Sequence, residues 1–122
     1  MTVHALTLTD VFTLADCWAL AYALADRYVG LSPHVLADDN GGWCHMLVQD
    51  ARDGTYVDIL GAQTFEEVQA AWDWEQGWVS IESADALGVT ERGMERRFPQ
   101  VSIDEAIAHL VESGWAPPPL RG

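Results

Sequence analysis

The run Trp43-Cys44-His45-Met46-Leu47-Val48-Gln49-Asp50-Ala51-Arg52-Asp53-Gly54-Thr55-Tyr56-Val57-Asp58-Ile59-Leu60 sets two apolar, aromatic-rich segments around a polar turn. Trp43 to Gln49 and Thr55 to Leu60 have the composition of strands, and Asp50 to Gly54 that of a hairpin connection. Each strand carries one misfit among apolar neighbours, His45 in the first and Asp58 in the second. A buried imidazole must find a hydrogen-bond partner and a buried carboxylate is costly unless paired, so each residue calls for the other. Register decides whether they meet. Closure around Ala51-Arg52, or a four-residue loop Asp50 to Asp53, sets Gln49 opposite Gly54 and His45 opposite Asp58, with Cβ atoms about 5 Å apart. An Asp53-Gly54 type I′ turn would instead slide Asp58 opposite Gln49, on the same face but out of direct reach. A slip of one residue would put the two on opposite faces.

Upstream, Thr13 to Tyr28 places Leu14, Cys17, Trp18, Ala21, Leu24, Ala25 and Tyr28 at helical spacing, with Thr13 and Asp16 as a capping pair and Gly30 as a stop. Cys17 falls in the first turn of this helix, where unpaired backbone N–H groups and the helix dipole favour a thiolate. A single cysteine on an apolar stripe is also an ordinary small hydrophobe. Pro33 is expected to break the chain, His34 to Ala37 to form a short strand, and Asp38 to Gly42 to turn.

Downstream, Thr64-Phe65-Glu66-Glu67 is a capping box opening a helix whose Phe65, Val68, Ala71 and Trp72 face the core. Trp78 to Ile81 reads as a strand, and Ser83 to Leu87 and Thr90 to Arg97 as short helical pieces ended by Gly88 and Pro99. Ser102 and Glu105 cap a last helix with the stripe Ile103, Ala106, Ile107, Leu110 and Val111, stopped by Gly114. Trp115 to Leu120 is extended, either docked along the domain or trailing in solvent.

A chain of 122 residues supports one core, so residues 1–122 are read as a single domain with an extended Pro-rich tail over 114–122. Net charge is −13, from 19 acidic residues against six basic ones, all arginine. Such a surface repels phosphate backbones and anionic lipid, which argues against nucleic-acid and membrane partners and leaves a protein or peptide. Met1 to Asp10 lacks the basic start of a secretory signal and no run reaches membrane-span length, so a cytoplasmic location and two unpaired thiols are expected. Oligomeric state has no signature in the sequence.

Asp16-Cys17-Trp18, Gly41 to Val48 around His45, and Asp53 to Gly61 around Asp58 resemble compact papain-like proteins. The likeness is to papain-fold toxin and deamidase-type domains and to small papain-like proteins of actinobacteria and their phages, and it spans about Leu14 to Gln63. It implies a papain-like α+β fold: an N-terminal helix carrying the cysteine, packed on a small antiparallel sheet, with additional C-terminal helices. It also implies a cysteine hydrolase of peptidase, deamidase or acyl-transfer type, with Cys17 as nucleophile, His45 as base and acid, and Asp58 orienting His45, without a cofactor. The chain departs from papain-like peptidases in one respect, since Leu6 to Asp16 contains no oxyanion-stabilising glutamine. That departure motivates an alternative, a catalytically silent papain-like module that binds another protein.

Other assignments of the same residues fare worse. Zinc at Cys17, Cys44, His45 and His34 is disfavoured because adjacent strand residues Cys44 and His45 point to opposite faces and no CxxC pair exists. Cys44 is therefore assigned to the core and no metal is expected. Of six tryptophans, Trp18 and Trp43 neighbour triad residues and are expected to wall the cleft, while Trp72 and Trp74 cannot both face inward from one helix. Mimicry of nucleic acid by acidic side chains would need a continuous stripe, whereas Asp38-Asp39, Glu66-Glu67, Asp73, Glu75 and Asp104-Glu105 are dispersed.

Overall fold

The computed structural model describes residues 12, 17–40, 42–72, 78–89 and 103–122. Expectations for Met1 to Asp10, the Thr13/Asp16 cap, Leu14, Trp74, Thr90 to Arg97, Pro99 and the Ser102 cap fall outside these residues. The elements are α1 (Cys17–Arg27), β1 (Leu31–Asp38), β2 (Trp43–Asp50), β3 (Tyr56–Asp58), β4 (Gly61–Gln63), α2 (Phe65–Ala71), β5 (Trp78–Ser83), a 3-10 turn (Asp85–Leu87) and α3 (Ile103–Glu112). The architecture is α+β, with an antiparallel five-stranded sheet ordered β4-β3-β2-β1-β5.

Both faces of the sheet are covered, which is why β2 is buried without interruption from His45 to Val48 instead of alternating. On one face Val35, Ala37, Met46, Val48 and Val57 join Leu20, Ala21, Leu24 and Tyr28 from the α1 segment and Ala106, Ile107 and Leu110 from α3. On the other, Leu36 and Leu47 pack under Val68 and Trp72 from the α2 segment. Truncating any of the fully buried leucines here to alanine is worth roughly 2–5 kcal/mol.

Several local expectations are corrected. Pro33 does not break the chain, because it sits inside β1 opposite Val48. Its carbonyl accepts from Ala84 N at 3.0 Å, just past the end of β5. N and C=O of one strand residue face the same side, so the missing N–H points where β5 has already ended and removes no bond to β2. Phe65 and Ala71 are exposed, since α2 is only seven residues long and presents just Val68 and the following Trp72 to the sheet. The Thr64 capping box is formed in full. In α3 the stripe is narrower than expected, with Val111 exposed. Gly88 adopts φ 71° behind the 3-10 turn, the left-handed conformation that suits glycine.

The tail docks along the domain. Val29 N donates to Pro119 O at 2.9 Å and Arg121 N to Arg27 O at 2.9 Å, and the buried Trp115 meets Tyr28 edge to face. Arg52 fixes its start, forking onto the buried carboxylate of Asp50 and donating to Ala116 O at 2.6 Å. Hydrogen bonds from Arg52 hold the Asp50 carboxyl below the usual carboxylate range. Arg52→Ala is expected to lower the midpoint of urea denaturation. It should also speed hydrogen exchange at the Val29 and Arg121 amides, which are bonded to or carried by the tail.

Candidate active site

The β2–β3 hairpin sets the site. Val48 pairs with Val57 and Gln49 with Tyr56, so neither expected register is adopted. Asp50 N bonds Thr55 O, and Gly54, at φ 77°, returns its N–H to Asp50 O. The loop is therefore Ala51 to Gly54, four residues closed one position later than a loop over Asp50 to Asp53. Asp58 lies in register with Leu47, two residues from a position opposite His45. A shift of two keeps both side chains on one face, and the diagonal span of about 7–8 Å is within reach of an imidazole.

His45 makes that reach. Its Nε2 lies 2.8 Å from Asp58 Oδ2, and both residues are buried. The other carboxylate oxygen, Oδ1, accepts from Leu60 N at 2.8 Å and from Gln63 Nε2 at 2.9 Å. The first of these is an Asx turn: Asp58 opens the β3–β4 reversal, paired with Gly61 at φ 103°, so the turn itself aims the carboxylate. Gln63, buried at the end of β4, then locks it. Trp72, following α2, stacks on the imidazole with ring centroids 4.0 Å apart and planes 25° from parallel.

Cys17 arrives from the other face. Among the described residues β3 pairs with β2 only at Val48 and Gln49, so the flank of β2 at Met46 has no strand beside it there. Met46 N donates instead to Cys17 Sγ at 3.4 Å, and the thiol stands in for the missing ladder partner. The same gap brings sulfur and imidazole together. His45 Nδ1 is buried without an aligned hydrogen-bond partner among the described residues, while the Cys17 thiol is close enough to favour the charged ring.

Burial alone would push the His45 pKa down, and it is the largest single influence. The hydrogen bond to Asp58 and the nearness of the Cys17 thiol, with the attraction of both, outweigh it and raise the value from 6.5 to about 9. The imidazole is thus held as a cation at neutral pH, flanked by a carboxylate and a sulfur.

The three expected site residues are brought together, then, by a diagonal register and a strand gap that the sequence did not disclose. Gln63 and Trp72 join the site beyond the residues expected there. Gln63 carries no local signal apart from being a polar residue next to a turn glycine, and Trp72 was assigned to the core, which is where it lies. The ring stacked on His45 is Trp72, whereas Trp18 and Trp43 are half-buried against the main core. Cys44 is exposed, not core, because the β1–β2 register shifts between Leu36 and Ala37, which face His45 and Trp43 and leave Cys44 as the extra residue. Neither cysteine forms a disulfide. Among the described residues no cluster of His, Cys, Asp or Glu is arranged to hold a metal ion, and no helix is long and apolar enough to cross a membrane.

Comparison with protein-family models, with curated proteins and with solved structures found no match to this chain.

The raised pKa of His45 has a definite sign in stability. A group whose pKa is higher in the folded state contributes fully below its unfolded value and loses that contribution as pH climbs through the folded value. Unfolding free energy should therefore fall between about pH 6.5 and pH 9 by roughly 3 kcal/mol, a slope that His45→Gln abolishes in urea titrations. Gln63→Ala removes one of two anchors on Asp58 Oδ1 and is expected to destabilise by about 1–2 kcal/mol in the same measurement.

Proposed function

We propose that the chain is a papain-like cysteine-dependent amide hydrolase or acyl transferase, with Cys17 as nucleophile, His45 as acid and base, and Asp58 orienting His45. The observation that carries this reading is the imidazole bound at Nε2 by Asp58, 2.8 Å away, with the Cys17 thiol as its other charge-stabilising neighbour. The helix carrying the cysteine, packed on an antiparallel sheet that carries the histidine and the acid, is consistent with that family's arrangement.

In this mechanism Cys17 Sγ, as thiolate, attacks the substrate carbonyl carbon and forms a C–S bond. His45 passes its Nδ1 proton to the departing amine nitrogen as the C–N bond breaks, leaving a thioester and neutral imidazole. Water then gives a proton to His45 while its oxygen attacks the thioester, the C–S bond breaks, and acid and thiolate are released. An amine in place of water gives acyl transfer, and a primary carboxamide substrate releases ammonia. The Cys17 backbone N–H serves as one oxyanion donor in this scheme. Gln63 does not supply another, because its carboxamide N–H groups bond Asp58 and Gly61 O.

One observation favours a second reading, a catalytically silent papain-like module that binds another protein. Cys17 is only 7% exposed and His45 is wholly buried, so a substrate carbonyl meets the sulfur only if the cover opens.

Alkylation separates the two. Trypsin cleaves after Arg27 and Arg52, so Cys17 and Cys44 fall on different fragments and are read independently by mass spectrometry. With iodoacetamide at about pH 6, where an ordinary thiol is slow, the enzyme reading expects Cys17 to react faster than the exposed Cys44 and to lose that advantage in His45→Ala. A Cys17 that stays protected at every pH while Cys44 reacts as an ordinary thiol would refute the enzyme and support the binding module.

A further inference from the structure

A concavity lies where the paired ends of β1, β2 and β5 meet. Leu36, Asp38, Trp43, Cys44 and Trp78 line a cavity of about 70 Å³. A single water needs about 10–15 Å³ on the same measure, so the space takes a side-chain head group and not a whole residue. The geometry points to a receptor for the guanidinium of an arginine side chain on a basic protein or peptide. This inference does not depend on any reaction at Cys17.

The lining defines the ligand chemistry. Leu36 is completely buried, and the two indoles are half-exposed and flank an acidic residue with no basic side chain among them. Trp78 Nε1 is already bonded to Trp72 O at 3.0 Å, which fixes that indole. Asp38 pairs with Trp78 across the β1–β5 ladder. Its Oδ1 accepts from Asn40 N and Gly42 N, both at 2.8 Å, so the β1–β2 turn orients the carboxylate. Oδ2 accepts no bond among the described residues. A methyl group on Gly42 would sit 2.8 Å from Oδ2, so glycine is what lets the carboxylate hold this pose.

Indoles lining a cavity beside a carboxylate suit a cation, and a planar guanidinium can pack against an indole while donating to the oxygen. An anion would meet Asp38 and a net charge of −13. A neutral donor can bond Oδ2 but gains neither the attraction between opposite charges nor the cation–π contact with the indoles.

Titration of the full chain with the peptides Ac-Gly-Arg-Gly-NH2 and Ac-Gly-citrulline-Gly-NH2 tests this, citrulline being a neutral shape-match for arginine. The indole N–H signals of Trp43 and Trp78 are followed by NMR. The arginine peptide is expected to give saturable shifts at millimolar concentration and to bind at least tenfold more tightly than the citrulline peptide. Asp38→Asn, which keeps a side-chain oxygen for the turn, should weaken the arginine peptide about tenfold. Alkylation of Cys44 on the rim, read by mass spectrometry in the unmutated protein, should slow with the arginine peptide alone. Equal binding of the two peptides, no effect of Asp38→Asn in a variant with an otherwise unchanged spectrum, or no indole shift would each overturn the proposal.

Discussion

A fully buried imidazole carrying a proton is tolerable only if neighbouring groups offset the lost hydration, and this constraint organises the molecule around His45. Asp58 meets Nε2 and the Cys17 sulfur is the counterpart for the rest of the charge. Each partner needs its own support. Asp58 is aimed by the turn it opens and held by Gln63, while the sulfur is held by Met46 N. Trp72 covers the ring face, so the second core cluster under α2 exists in part to roof the charged pair. Removing one partner leaves an uncompensated charge in the interior, which is costlier than never having buried the set.

The brevity of β3 matters as much as any side chain. A strand that continued alongside β2 past Val48 would satisfy Met46 N with a carbonyl and shut the sulfur out. Because β3 turns away at Asp58, the carboxylate, the strand gap and the sulfur occupy one place. A local feature of chain length thereby joins a residue from the helical face to residues from the opposite face of the sheet. The same sheet leaves a different environment at its far end, where an extra residue at Cys44 opens a small aromatic and acidic hollow. One end is closed and charge-balanced internally, and at the other the Asp38 carboxylate meets no basic side chain among the described residues.

Much of this was legible in the sequence. The hairpin, the first and last helices, the Thr64 cap and the edge strand from Trp78 follow from local periodicity and capping chemistry, which act over a few residues. His45 and Asp58 were legible as a pair because each is anomalous in its own strand. Their diagonal contact was not, since hairpin register depends on how Asp50 and Gly54 close the loop, and three closures compete on similar turn residues. Pro33 misled because a proline's effect in a sheet depends on which neighbour its missing N–H faces, a tertiary fact. Cys44 and Gln63 escaped for related reasons: a bulge and a partner five residues from Asp58 leave no periodic trace. The docked tail depends on Arg52, whose role is set by a contact 64 residues away.

The organisation of the site rests on the charge state of one ring. Site-resolved nitrogen NMR of imidazole-labelled protein reads it directly, because protonated and unprotonated ring nitrogens resonate far apart. Both His45 nitrogens are expected to appear protonated at pH 7 and to titrate only near pH 9, with the Cys17→Ala variant losing its proton at lower pH. A neutral His45 at pH 7, or a titration indifferent to Cys17, would contradict that organisation.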